Sequence, residues 1–201
     1  MSLFSYVVAR DFGFAPNPFG GFCTLATCKP EIRRLAEVGD WVFGTGSATW
    51  NRKGSLVYAM RVAETMSFDQ YWADPRFRQK KPDLRSCRKS AFGDNIYHRG
   101  KGSWIQLDSH HSLANGAPNL KNIRNDTQAN RVLISTQFAY WGGLGPLVPQ
   151  NLRNYDGYDL CAGRGYKRKF TQEMEEQVIE WFLSLKAQGC LGRPINWTRY
   201  A

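Results

Sequence analysis

Ala36-Glu37-Val38-Gly39-Asp40-Trp41-Val42-Phe43-Gly44-Thr45-Gly46-Ser47, followed after a polar loop by Leu56-Val57-Tyr58-Ala59-Met60-Arg61-Val62, decides the reading of the fold. It reads as a helix end, a tight turn at Gly39-Asp40, a short apolar strand at Trp41 to Phe43, a glycine-rich opening and a longer strand. Glycine at 44 and 46 removes side chains where a backbone or a ligand comes close. This layout suits one side of a small barrel with a mouth beside it. It supplies shape but no catalytic group.

Upstream, Leu3 to Ala9 is rich in β-branched and aromatic residues and predicts a strand. The loop from Asp11 to Gly21, with Pro16 and Pro18, is not regular structure, yet it carries Phe12, Phe14 and Phe19. These rings either fold back over the core or wall a pocket. Lys29-Pro30-Glu31 opens a short helix to about Glu37, with Ile32, Leu35 and Ala36 on one face. Downstream, Ser67 caps a short helix through Trp72, and Trp104 to Leu107 and Val132 to Tyr140 are strand candidates. Thr171 caps the clearest helix, whose apolar stripe is Met174, Val178, Phe182 and Leu185.

The chain has 201 residues, 14% of them aromatic, which is enough for one well-cored domain. No apolar run approaches the length of a membrane span, and the first ten residues lack the pattern of a secretory signal, so a cytoplasmic protein is expected, in the host cytoplasm if phage-encoded. Five scattered cysteines read as free thiols, and Cys23 and Cys28 find no further ligands for a zinc site.

The net charge is +10, and it is clustered. Between Arg76 and Lys101 stand nine Lys or Arg against two acids, a local +7. Arg164-Gly165-Tyr166-Lys167-Arg168-Lys169 forms a second cluster before the last helix. Positive charge interleaved with aromatic rings is the footprint of a polyanion binder, although a solvated basic face has the same composition.

Catalytic patterns are sparse. No Gly-x-Ser-x-Gly elbow is present, and the histidines are His98, His110 and His111. Cys87 lies among Arg85, Arg88 and Lys89, which lower a thiol pKa when close in space. Asp94, His98, Asp108 and His110 are candidate metal ligands or acid–base groups, with a surface loop carrying incidental histidines as the plainer reading. Tyr97, Trp104, Tyr140 and Trp141 lie near polar or glycine-rich turns, where rings can stack on a base, and Asn17, Thr45, Ser47 and Asn95 offer polar contacts to its edge.

In order along the chain, Asn17-Pro18-Phe19, Cys23-Thr24-Leu25-Ala26, Cys28-Lys29-Pro30-x-Ile32-Arg33, Gly39-Asp40-Trp41-Val42-x-Gly44-Thr45-Gly46, Asp94-Asn95-Ile96-Tyr97 and Ile134-Ser135-x-x-Phe138-x-Tyr140-Trp141-Gly142 resemble the nucleotide modification associated domain family, second type. The resemblance spans roughly residues 3 to 185. It implies a setting of DNA-base modification in bacteria or their phages, without a demonstrated reaction. A weaker similarity, over Ile32 to Phe43 and Leu56 to Val62, is to PUA-like domains such as EVE and ASCH, which hold a modified base beside a small barrel. The basic stretch at 75–102 departs from a compact EVE domain, so no pocket residue is carried over from it.

The expected fold is therefore α+β: a small PUA-like β-barrel or strongly curved mixed sheet with peripheral helices and a long C-terminal helix. A single domain over 1–201 is expected, with a basic insertion at about 75–102. The expected function is binding of nucleic acid or a nucleotide through a modified base, without a cofactor or metal. The base site is assigned to Asn17, Phe19, Gly44, Thr45, Gly46, Ser47, Asn95, Tyr97 and Trp141, and the phosphate site to Arg85, Arg88 and Lys89. Two alternatives stand beside it: an enzyme of nucleotide or base modification using Asp94, His98, Asp108 or His110, and a binder that sequesters a nucleotide signal in phage–host defence. The sequence leaves the oligomeric state open.

Overall fold

The computed structural model describes residues 1–200, the last three by backbone alone. The chain divides into two compact units, each assembled from separated segments. Met1–Asp11, Ala36–Ala63 and Ser135–Ala201 make the first, and Phe12–Leu35 with Glu64–Ile134 the second.

The first unit is a six-stranded mixed sheet with helices. Its strands are β1 (Leu3–Val8), β3 (Trp41–Gly46), β4 (Leu56–Arg61), β9 (Gln137–Tyr140), β10 (Tyr166–Lys167) and β11 (Gly189–Cys190), in the spatial order β10-β1-β3-β4-β9-β11. β1 and β3 run parallel from Leu3↔Trp41 to Val8↔Gly46, and β3 turns back antiparallel onto β4 with a register shift between Gly44 and Thr45. All six residues of β3 are buried, which explains their near-continuous apolar character. The expected barrel is absent: β10 and β11 end the sheet as open edges among the described residues. The glycines that read as an opening are strand residues. A Cβ at Gly44 would lie 2.3 Å from the Tyr58 ring, and one at Gly46 would lie 2.2 Å from the Arg52 carbonyl oxygen.

Among the described residues this unit has two α-helices, α5 (Gln150–Arg153) and α6 (Gln172–Ser184), and short 3-10 turns. Thr171 caps α6 as expected, its hydroxyl accepting the Met174 N–H at 3.2 Å. Met174, Val178 and Phe182 are buried with Trp41 and Phe43, and Phe182 meets Trp41 edge-on at 5.1 Å between centroids. At 13 residues α6 is of ordinary length, so the long C-terminal helix is a second correction. Leu185 caps it, and the chain turns through Lys186 (φ 48°) and Gly189 (φ 79°) into β11.

The second unit holds a three-stranded sheet ordered β2-β8-β5, from Cys23–Leu25, Val132–Ser135 and Glu64–Met66, and a hairpin of β6 (Tyr97–Gly100) with β7 (Ser103–Gln106). Its helices are α1 (Pro30–Leu35), α2 (Phe68–Ala73), α3 (Arg88–Ala91) and α4 (Leu120–Thr127). Ser67 and Gln70 close a capping box on α2. Phe14, Phe68, Tyr71, Phe77, Ile96, Tyr97, Val132 and Ile134 share the core, so at least Phe14 of the loop phenylalanines folds back. The run expected as one strand over Val132 to Tyr140 breaks at exposed Thr136, giving β8 in this unit and β9 in the first. Within 75–102, Pro75–Lys80 forms a 3-10 helix, and Lys80 is fully buried, its ammonium donating to Asn17 Oδ1 (2.7 Å), Asn17 O (3.0 Å) and Phe22 O (3.0 Å). Burial lowers its pKa to about 8 against the opposing charge of Asp94.

Candidate functional site

The second unit brings a thiol, an imidazole and a carboxylate together. After β2 the chain reaches α1 through Cys28 (φ 57°) and Lys29 (φ 40°), both left-handed without being glycine. Such conformations cost of order 1–3 kcal/mol each, and persist only where the surroundings enforce them. Here Arg33, fully buried on α1, enforces the turn. Its guanidinium donates to the carbonyls of Cys28 (2.8 Å), Ala129 (2.7 Å), Arg131 (2.7 Å) and Asp126, tying the turn to the end of α4. Burial lowers its pKa to about 10, although the charges of Asp126, Cys28 and Tyr97 oppose that shift.

Asp126, wholly buried on α4, accepts the Cys28 N–H on Oδ1 at 2.8 Å and the Tyr97 hydroxyl on Oδ2 at 2.9 Å. Oδ2 also lies 2.8 Å from His111 Nδ1. An ionised carboxylate only accepts, so Nδ1 carries a proton, and in the neutral ring Nε2 is left as an acceptor. Nε2 lies 3.7 Å from Cys28 Sγ. The backbone of His111 is held as well: Asn122 Nδ2 (2.8 Å) and Gln106 Nε2 (3.3 Å) donate to its carbonyl, and the Phe14 ring lies tilted against the imidazole at 4.6 Å between centroids.

These contacts set the protonation states. Burial works against a charged His111, but its hydrogen bonds to Asp126 and Cys28 outweigh it and raise the pKa to about 9. Burial would raise Asp126, yet the His111 hydrogen bond and charge leave it below the usual carboxylate value. Burial and the Asp126 charge push the Tyr97 phenol up, so it stays a neutral donor. Cys28, His111 and Asp126 offer ligand types that also suit a metal, with ligand atoms within 4.8 Å of one another. Their connectivity is serial, however: one imidazole nitrogen meets the thiol and the other meets the carboxylate. Asp126 is further occupied by Cys28 N–H, the Tyr97 hydroxyl and Asn125 Nδ2 (3.3 Å). That is the arrangement of nucleophile, base and orienting group.

Sequence reasoning reached part of this cluster. Tyr97 belongs to it, but through its hydroxyl and not as an open stacking face, since it is fully buried. Asn17 is buried and spent on Lys80, the Phe19 N–H (3.2 Å) and the Phe92 carbonyl (3.1 Å). Asn95 is buried, donating to the carbonyls of Tyr71 and Phe77, while its Oδ1 has no partner. Phe19 is half-buried, with Lys89 Nζ 5.7 Å from its ring, and Arg85, Arg88 and Lys89 are exposed. Cys87 is exposed, its pKa lowered to about 7 by hydrogen bonds from Ser90 and not chiefly by the neighbouring cations. The alternative acid–base set does not form the cluster. Asp94 is buried against Thr24 (2.6 Å) and Tyr71 (2.8 Å), His98 stacks on Trp72 at 4.1 Å, and His110 packs among Phe12, Phe14 and Phe92. The histidine that joins the cluster is His111, and its partners Cys28 and Asp126 carried no mark beyond the Cys28-Lys29-Pro30 motif.

In the first unit, Thr45 is buried with its hydroxyl on the Tyr6 carbonyl (3.3 Å), and Trp141 packs against the core near Phe182. Gly46 and Ser47 line a cavity of about 470 Å³ with Lys53, Arg153 and Lys167.

The protein is thus of mixed α/β class, with a thiol, an imidazole and a carboxylate in series in its second unit. The family is given by comparison. The chain belongs to the nucleotide modification associated domain 2 family, whose model matches residues 1–201, the whole chain. Neither the curated proteins nor the solved structures contain a match. Among the described residues no helix is long and apolar enough to cross a membrane.

Proposed function

We propose that the protein is a thiol-dependent enzyme of nucleotide or DNA modification, acting by acyl transfer or hydrolysis on an acyl-bearing nucleotide or base. The observation that carries this is the placement of His111 between Cys28 Sγ (3.7 Å) and Asp126 Oδ2 (2.8 Å). The family's association with nucleotide modification supports the substrate class.

In this reading, Asp126 holds His111 as the imidazolium, whose Nε2–H faces Cys28 Sγ, and Cys28 attacks as the thiolate of that ion pair. The thiolate adds to the substrate carbonyl carbon, forming a C–S bond. His111 gives its Nε2 proton to the departing amine or alcohol as the bond to it breaks. Water then gives its proton to the now neutral His111 and attacks the thioester, releasing a carboxylic acid and restoring the thiolate–imidazolium pair. No redox partner is required.

The test is site-resolved alkylation by iodoacetamide, read by peptide mass spectrometry in a Cys87→Ser background. Cys28 should react at pH 7 at least about tenfold faster than exposed Cys190, and His111→Gln should abolish that advantage. Equal rates at Cys28 and Cys190 in the parent protein would sink the proposal. The narrower reading, recognition of a modified base without chemistry, has in its favour only the cavity at Gly46 and Ser47.

A further inference from the structure

The cavity at Gly46 and Ser47 does not stand alone. It shares Asp159 and Lys167 with an adjoining cavity of about 570 Å³ lined by Tyr158, Tyr166, Arg168, Lys169 and Phe170. Both lie in the first unit, against β10, which pairs on one side only, with β1. Together they form one groove along a sheet edge.

Its charge is lopsided. The linings contain five cations, Lys53, Arg153, Lys167, Arg168 and Lys169, and one acid, Asp159. That acid is already engaged: it pairs with Arg153 at 3.3 Å and accepts the Cys161 N–H at 2.7 Å, while Lys167 donates to its backbone carbonyl at 2.8 Å. Lys53, Arg168 and Lys169 are exposed and have no hydrogen bond or ion pair among the described residues.

The backbone adds donors. Ala162, buried, and Gly163 line the inner cavity, and their N–H groups donate to nothing among the described residues. A buried amide is ordinarily paired, so the Ala162 N–H is a donor open to an acceptor at this wall, and exposed Gly163 offers its own N–H beside it. Gly46, Gly54 and Gly163 place no side chain in the way. Burial pushes the Cys161 thiol up to about 11, so this wall carries no thiolate to repel an anion.

The outer cavity offers rings. Tyr158 is exposed, and Tyr166 is half-buried, its ring tilted against Phe4 at 6.5 Å. A face of this kind beside cations is what a base with its phosphate requires: stacking supplies sequence-tolerant affinity and the cations hold the backbone.

We propose that this groove binds a nucleotide unit, its phosphate in the cavity of Lys53, Arg153 and the Ala162–Gly163 amides, and its base against Tyr158 and Tyr166. The chemistry is common to a free nucleotide and to a single strand of nucleic acid. It stands apart from the Cys28 reading, because no residue of that cluster takes part.

The experiment is fluorescence anisotropy on the full chain with two probes, a labelled deoxynucleoside monophosphate and a labelled single-stranded 12-mer, over a series of salt concentrations. With three uncommitted cations, the strand should show a log–log salt slope of about −2, following roughly 0.7 per phosphate neutralised. Arg168→Glu with Lys169→Glu should weaken binding at least about tenfold, and exposed Tyr158→Ala about fivefold. The charge-matched Arg85→Glu with Lys89→Glu, in the second unit, should change it less than twofold. Cys28→Ala should bind as the parent does, which separates this proposal from the catalytic one. Binding of either probe through Arg168 and Lys169 supports the groove, and the probe that binds identifies the source. No binding of either probe at 50 mM salt, or loss of binding only in the Arg85/Lys89 variant, overturns it.

Discussion

The Gly44–Ser47 stretch of β3 and the Cys28–Lys29 turn treat backbone freedom in opposite ways. Glycine at 44 and 46 is spent on packing: the Tyr58 ring occupies the space beside Gly44, and the Arg52 backbone that beside Gly46. At Cys28 and Lys29, where φ is positive and glycine would be relaxed, the chain carries two full side chains instead. Permissive residues therefore mark close approach in the core, while strain borne by non-permissive residues marks the place where chemistry is proposed. The two regions look equally special in sequence and have different physical reasons.

The largest expected effect tests the cluster behind the turn. Free His111 titrates near 6.5 and folding raises it to about 9, so its contribution to stability is fully present below about pH 6.5 and is lost as pH rises through about 9. At about 1.4 kcal/mol per pKa unit, the contribution is on the order of 3 kcal/mol. Urea denaturation of the parent and of His111→Gln should show a stability gap that is widest below pH 6.5 and closes toward pH 9.5. A gap that widens with pH would mean that His111 is not held as the cation.

The next effect tests the strand. Gly44→Ala should cost about 1–3 kcal/mol, since the Tyr58 ring and Val8 are buried and cannot withdraw. Thermal melting would measure it, and an unchanged Tm would restore the roomy opening that the sequence led one to expect. The smallest effect has the opposite sign. Cys28→Gly relieves one left-handed residue and should stabilise the protein by about 1 kcal/mol while removing the thiol. A loss of stability there would show that Cys28 packs for structure.

Local signals explain what the sequence made legible. The caps at Ser67 and Thr171, the proline opening α1 and the apolar runs of β1 and β4 are each encoded within a few residues, and the structure follows them. The motif order likewise pointed to the family that the whole chain matches. The extension of β3 through Gly44 and Gly46 was hidden, because what fills the space comes from Tyr58 on a neighbouring strand. The break at Thr136 was hidden because no glycine or proline marks it between two strand-forming runs. The Cys28–His111–Asp126 cluster was hidden most deeply. Cys28 and His111 are 83 positions apart, and Asp126 sits on a polar helix that gives no hint of being wholly buried. The Asp108-Ser109-His110-His111 segment read as candidate ligands or as a loop with incidental histidines, and only the fold shows which histidine turns toward a thiol.

The interleaving of the two units has a consequence for the order in which they are completed during synthesis. Every segment of the second unit has left the ribosome once residue 134 has emerged, whereas the first still lacks β9, β10, β11 and α6. At that moment β4 lacks its β9 partner and β1 its β10 partner. The unit with Cys28, His111 and Asp126 can thus form early as a complete insert, while the sheet that contains the amino terminus waits for the carboxy-terminal third. A nascent chain arrested shortly after residue 134 has cleared the exit tunnel would carry its thiol already oriented, with its first strand still unpartnered at one edge.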